Sequence, residues 1–206
     1  MTEAILNKKA ANGKTVDFHD IMYKFTLDSF VLLGFGVQLN ALASKGKVSF
    51  AASFDECQVN CMDRFINPFM PILETIQPIL QPGTQSIKSH LKVVDDFAYR
   101  IIAERRSQLA EGGEFKDLLS RFMNAKNEND QLLNDRELRD TVLNFIIAGR
   151  DTTAQALSWT FYNLMLHPRV ESKLMDEIDA NIRDEHELDS PQLYEIIRTM
   201  VYAHAV

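Results

Sequence analysis

The residues best suited to chemistry are an acid and an alcohol side by side. They are Asp151 and Thr152, within Asn144-Phe-Ile-Ile-Ala-Gly-Arg-Asp-Thr-Thr-Ala-Gln-Ala156. A carboxylate beside a hydroxyl in a water-poor groove is suited to relaying protons to a bound group. At about 100° per helical residue, Phe145, Ala148, Gly149, Thr152 and Ala156 share roughly one quadrant. The alanines and the glycine there have almost no side chain, so a flat object could approach the backbone, with Thr152 projecting from the same shelf. Asp151 lies about a quarter-turn away. A second reading fits the same residues: small side chains allow close helix–helix packing, and Asp151 pairs with an arginine. Spacing leaves both open.

The element that must position these groups reads as one long, mostly apolar helix from about Asp135 to Leu166. Asn134-Asp-Arg-Glu137 is a capping box for its start, and Pro168 both ends it and opens the next helix. Its middle breaks local rules. Gly149 costs about 1 kcal/mol relative to alanine in a helix interior. Arg150 and Asp151 put charges where Ile146, Ile147, Leu157 and Trp159 predict burial, which is costly unless the charges are paired. Thr152 and Thr153 can turn their hydroxyls back onto carbonyls one turn earlier. Rules broken together inside a strong element mark a functional stretch.

The remaining elements are helical as well. Asp17 caps a helix carrying Ile21, Met22, Phe25, Phe30, Val31 and Leu33, which ends near Gly34-Phe-Gly36. Ser49 to about Ile66 is a second helix, with Phe50, Phe54, Met62 and Phe65 at helical offsets. Pro68, Pro71, Pro78 and Pro82, four of the six prolines, mark the stretch up to Gly83 as an apolar connector with at most short helical turns. Thr84 to Ala110 is a long amphipathic helix, and Arg100, Glu104, Arg105 and Arg106 read as its solvated face. A short helix at Lys116–Ala125, one from Arg169 to Ile182, a charged loop to Asp189, and a last helix from Ser190-Pro191 still running at Val206 complete the chain. No strand or repeat is evident, so the class is all-α.

Composition sets bounds on function. With 46% apolar and 25% charged residues the chain is ordinary for a globular protein, and a net charge of −7 argues against a nucleic-acid partner. No stretch reaches the roughly 18 apolar residues that a membrane span requires, and the first residues lack the order of a signal peptide. Two cysteines, Cys57 and Cys61, are too few for a disulfide framework. The five histidines are scattered, with none paired at metal-ligand spacing.

Ala148-Gly-Arg-Asp-Thr-Thr153 resembles the (Ala/Gly)-Gly-x-(Asp/Glu)-Thr-(Thr/Ser) signature of the haem-thiolate monooxygenases, the cytochrome P450 family, and lies mid-helix as it does there. Leu164-Met-Leu-His-Pro168 resembles the family's usual end to that helix. Phe25-Thr-Leu-Asp-Ser29 with Gly34-Phe-Gly36 resembles the helix before the substrate roof, and Arg64-Phe-Ile-Asn-Pro68 with the Gln85 to Arg106 helix resembles the roof pair. Thr199-Met-Val-Tyr-Ala-His-Ala205 resembles the lead-in to the Glu-x-x-Arg helix. Among subfamilies, Ala-Gly-Arg-Asp-Thr-Thr-Ala with Phe-Thr-Leu-Asp-Ser is most similar to the fatty-acid and alkane ω-hydroxylases of plants, fungi and related eukaryotes.

The resemblance implies the helical portion of the cytochrome P450 fold. Residues 1–206 would form a single partial domain, without the N-terminal anchor and sheet region or the C-terminal haem-ligand region. It implies haem b, molecular oxygen, a lipid-like substrate and electrons from NADPH through a reductase. The complete protein is expected on the cytosolic face of the endoplasmic-reticulum membrane. Thr152 and Asp151 would be catalytic. Ala148, Gly149, Thr152 and Thr153 would meet the cofactor, and Phe145 and Ala148 the substrate. The family's axial cysteine sits in Phe-x-x-Gly-x-Arg-x-Cys-x-Gly, and no such segment occurs here. The metal ligand is therefore expected outside the chain, and the chain alone is expected to be inactive. The alternative is a non-catalytic helical interaction protein derived from that fold.

Overall fold

A computed structural model of the chain describes residues 7, 13, 15–44, 46, 48–80, 85–182 and 191–206, with the backbone alone described at 77–80. The first residues, the charged loop before Asp189, Ser190 and the Thr84 start of the third expected helix lie outside the described residues. Those described form eight helices and no strand. The chain divides into two compact units, Met1–Ala154 and Gln155–Val206.

The first unit is built around α1 (Phe18–Phe35), α2 (Ser49–Ile66), α4 (Ile87–Ala110), α5 (Leu118–Met123) and the larger part of α6 (Asp135–Leu166). Asp17 starts α1 by accepting a hydrogen bond from the Asp20 amide at 3.0 Å. Gly36 ends it in the left-handed region, at φ 70°, with its N–H returned to the Leu32 carbonyl at 2.9 Å. The core gathers Leu27, Val31 and Phe35 of α1, Phe50 and Phe54 of α2, Phe97, Ile101 and Ile102 of α4, Leu119 of α5, and Leu138, Val142 and Ile146 of α6. Phe50 stacks on Phe97 with ring centroids 3.9 Å apart, which fixes α2 against α4.

Beyond Phe54 the apolar residues of α2 turn outward. Met62 is exposed, and Phe65 is 89% exposed. The proline-rich stretch then departs from the expected connector, because Met70–Leu80 is a continuous helix, α3. Pro71 is tolerated because it falls in the first turn, where an N–H has no intrahelical partner in any case; Pro78 lies two residues before the end of the helix. The spacing of Ile72, Leu73 and Ile76 is also helical. Glu74 of α3 accepts from Asn60 at 2.8 Å and pairs with Arg64 through both oxygens, at 2.7 and 2.5 Å, so α3 is tied back to α2.

The reading of Arg105 as solvated is overturned. Its side chain is 5% exposed, because the corner between α4 and α5 gives it a complete set of acceptors. Nη1 donates to Asp117 at 2.5 Å and Ser120 at 2.8 Å, Nη2 donates to the Phe35 carbonyl at 3.0 Å, and the Phe115 ring lies 3.9 Å away. Asp117 also caps α5 through the Ser120 amide at 2.9 Å. One arginine thus joins the end of α1, the body of α4 and the start of α5.

The capping box of α6 is present in both directions. Asn134 accepts from the Glu137 amide at 3.0 Å, and Glu137 accepts from the Asn134 amide at 2.8 Å. Leu138, Val142, Ile146, Arg150 and Ala154 form its buried stripe.

In the second unit, Pro168 opens α7 (Pro168–Asn181), followed by α8 (Leu193–Thr199). The expectation of a last helix still running at Val206 is corrected. α8 stops at Thr199, Met200 takes extended backbone at ψ 93°, and turns follow. The Glu177 carboxylate accepts from the Tyr202 and Ala203 amides at 2.8 and 2.7 Å, serving two N–H groups that a helical start leaves without partners.

Candidate functional site

The two readings of the central stretch concern opposite faces of α6. Arg150 lies on the buried stripe. About 200° around the helix from it in either direction lie Ala148 and Thr152, both exposed. Phe145, 36% exposed, continues that open face, with its ring 4.9 Å from the ring of Phe122. Thr152 turns its hydroxyl back onto the Ala148 carbonyl at 2.5 Å, as a threonine inside a helix tends to do. No charged group projects from Ala148 or Thr152, so the face is a shelf of small side chains with one hydroxyl on it.

Gly149 and Thr153 sit at the flank of this shelf, towards α1. A Cβ built on Gly149 would overlap the ring of Phe30. The glycine is therefore what lets α1 and α6 approach, and its contact is with Phe30 rather than with open space. Thr153 is exposed and borders a cleft of about 410 Å³ lined also by Phe25, Phe30, Leu33, Leu118 and Gly149. Thr26 of α1 adds a polar tie. Its hydroxyl lies 3.1 Å from the Arg150 carbonyl, 3.0 Å from the Met22 carbonyl and 3.2 Å from the Tyr23 carbonyl, three acceptors for one proton.

On the buried side, Arg150 is 5% exposed and pairs with Asp55 of α2. Its guanidinium lies 4.9 Å from the centroid of Tyr23 and 5.5 Å from that of Phe54. Its Nε stands 3.1 Å from Oδ1 of Asp151. The N–H is not aimed at that oxygen, so the contact is Coulombic, and Nε, Nη1 and Asp151 Oδ1 are all buried without a hydrogen bond. The other carboxylate oxygen, Oδ2, accepts from Gln58 of α2 at 2.6 Å. Asp151 thus sits between Arg150 on one flank and Thr152 on the other, and its carboxylate is committed to the Arg150 flank. Sequence reasoning missed Asp55, Gln58, Tyr23 and Thr26. The one local signal was the three-residue spacing of Asp55 and Gln58, which puts both on one side of α2.

Among the described residues no group of three histidine, cysteine, aspartate or glutamate side chains could hold a metal ion. Cys57 packs against the core, where burial first and then the charges of Asp95 and Glu56 push its thiol up. Cys61 is exposed on α2. Neither lies on α6. The described histidines have local partners: the Tyr23 ring for His19, Ser53 for His90, and the Asn163 and Ile197 carbonyls for His167 and His204. The shelf of Ala148 and Thr152 fits one face of a planar cofactor, being open, small and uncharged. The donor set supplies no iron ligand beside it.

The Cytochrome P450 family pattern matches residues 1–206, and the chain belongs to the cytochrome P450 family, whose members are haem monooxygenases. It is similar to cytochrome P450 704B1 of Arabidopsis thaliana, at 32% identity over 206 residues covering 93% of this chain and 38% of that protein. It is 35% identical over 185 residues to cytochrome P450 704C1 of Pinus taeda, covering 84% and 35%. It is 32% identical over 195 residues to cytochrome P450 monooxygenase cyp1 of Mycosarcoma maydis, covering 91% and 30%. The chain therefore spans about a third of the length of the curated relatives it matches. Among the described residues no helix is long and apolar enough to cross a membrane.

Proposed function

We propose that these 206 residues are one part of a single monooxygenase domain, and that the open face of α6 is the wall against which haem lies and oxygen is activated. The observation that carries this reading is Thr152, a hydroxyl on an exposed shelf of small residues, directly opposite a buried, ion-paired stripe. Ala148 and the backbone kept narrow at Gly149 bound the shelf, Thr153 borders it, and Phe145 meets substrate at its end. Haem, when bound with a thiolate ligand from outside these residues, supplies the oxidising chemistry.

The chain's own part is to hold and move protons. Thr152 Oγ1 turns from the Ala148 carbonyl to donate a hydrogen bond into the groove. Asp151, one position earlier, resupplies protons to that hydroxyl through solvent. Fatty acids or alkanes are the proposed substrate class, on the similarity of Ala148-Gly-Arg-Asp-Thr-Thr-Ala154 and Phe25-Thr-Leu-Asp-Ser29 to the ω-hydroxylases. A reductase carrying electrons from NADPH, and a place on the cytosolic face of the endoplasmic reticulum, follow from the same likeness for the complete protein.

The test is Thr152→Ala in the complete, haem-loaded protein. Product formed per electron should fall several-fold while peroxide rises, and unchanged coupling would remove Thr152 from the mechanism. The 206 residues alone are proposed to be inactive. They should give no reduced carbon-monoxide Soret band at the thiolate position, and a stoichiometric band would overturn that part.

A further inference from the structure

We propose that Arg150 is a positioning residue for Asp151. Anchored to α2 by Asp55, it holds the Asp151 carboxylate on the α2 side of the helix, away from the Thr152 face. The inference rests on the functional reading above for its consequence, and on geometry alone for its substance.

Helical neighbours are separated by about 100°, so a side chain at 151 can lean towards 150 or towards 152. In the structure both carboxylate oxygens are engaged on the same flank. Oδ1 is 3.1 Å from Arg150 Nε, and Oδ2 accepts from Gln58 at 2.6 Å. Swinging the carboxylate to Thr152 gives up both contacts together. Arg150 has little freedom to follow, because the Asp55 pair and the Tyr23 and Phe54 rings fix its guanidinium.

The burial of unpaired atoms points the same way. Arg150 Nη1 and Asp151 Oδ1 are enclosed without hydrogen bonds, which ordinarily counts against a side-chain arrangement. The arrangement is held by charge: a positive group 95% buried beside two carboxylates in a medium where Coulomb forces exceed those in water. Arg150 therefore sets which way the proton-carrying acid points, while touching neither the shelf nor anything that would bind on it.

The experiment labels aspartate carboxyl carbons with ¹³C in the complete protein, held in its diamagnetic ferrous carbon-monoxide form. The Asp151 signal is assigned by its loss in Asp151→Asn. The charge is removed together with its partner in Asp55→Leu/Arg150→Leu, so that neither charge of that pair is left alone and the loss falls on the Coulombic contact to Asp151. Gln58→Leu tests the other oxygen.

The Asp151 signal should move in both variants and stay in place in Thr152→Ala. Arg150→Lys, which keeps the charge but cannot span both carboxylates, should give an intermediate position. The share of electrons lost to peroxide should change roughly twofold or more in the paired variant, the lower end for side chains in contact. A signal unmoved by Gln58→Leu and by the paired variant overturns the proposal, as does one that Thr152→Ala moves further. A moved signal with an unchanged peroxide share overturns the role given to Asp151 in oxygen chemistry.

Discussion

Gly149→Ala sets two effects of opposite sign against each other at the centre of the molecule. In a helix interior the added methyl group gains about 1 kcal/mol of helix propensity. Against this, the new Cβ overlaps the Phe30 ring, including Cγ, the atom nearest that ring's own backbone. A ring overlapped at Cγ cannot yield by swinging its far edge. It must change χ1 or push α1 away from α6, and Phe30 is already packed edge-on to Phe35 at 5.9 Å. Overpacking of that kind costs about 1–3 kcal/mol, so the substitution should destabilise by about 1 kcal/mol net. In a Phe30→Ala background the obstacle is gone, and the same change should stabilise by about 1 kcal/mol. The coupling between the two sites is then about 2 kcal/mol. Urea midpoints of the four proteins, at constant m, measure it. A Gly149→Ala change that stabilises equally in both backgrounds would refute the reasoning and place the glycine's importance on the shelf side of the helix.

Two further expectations concern ion pairs of contrasting burial. Arg105→Leu leaves Asp117 and the Phe35 carbonyl without their partner in a nearly closed corner. It should cost about 3–5 kcal/mol, only part of it recovered by adding Asp117→Leu, because Asp117 also caps α5; thermal unfolding that shows a loss below about 1 kcal/mol for the single variant would contradict this. The hydrogen bond from Arg64 holds the Glu74 carboxyl down to about 2 from its ordinary 4.5. A depressed carboxyl binds its proton less readily folded than unfolded, so its contribution is complete above pH 4.5 and is lost as pH falls from there towards 2. In Arg64→Leu the acid dependence of unfolding should flatten over that window, and an unaltered slope would count against the pairing.

Much of this architecture could be read along the chain because its signals are local. Asp17, the Asn134–Glu137 box and Pro168 each announce a helix start through groups within four positions. Of Ile146, Ile147, Leu157 and Trp159, expected to be buried around the charges of α6, only Ile146 is; Ile147 is 42% and Trp159 60% exposed, so the buried face was read only in part. Legibility failed where partners lie far apart in sequence. Arg105 looked solvated on its own helix, and only the return of Asp117 and Ser120 around the turn makes it a core residue. α3 was hidden because Pro71 was counted as a breaker although it falls in the first turn, and because Pro78 lies only two residues before the helix ends. At the site, the acid and alcohol were evident as neighbours. That the acid leans away from the alcohol, with Asp55 and Gln58 deciding the direction, depends on contacts across 95 and 93 positions that no local pattern encodes.

Those separations bear on the order in which the molecule assembles. Glu177 meets the Tyr202 amide across 25 positions, whereas Arg150 meets Asp55 across 95. Loop-closure entropy makes the longer link about 1 kcal/mol harder to form from an unfolded chain. The arginine must also shed its hydration before the rings of Tyr23 and Phe54 can close over it, while Glu177 needs to shed only part of its own. The carboxylate clamp of the second unit is thus suited to early, reversible closure. The setting of Asp151 belongs to the last steps, when α1, α2 and α6 are already together. Until Asp55 and Gln58 arrive, Asp151 lacks the contacts that hold it on the α2 side.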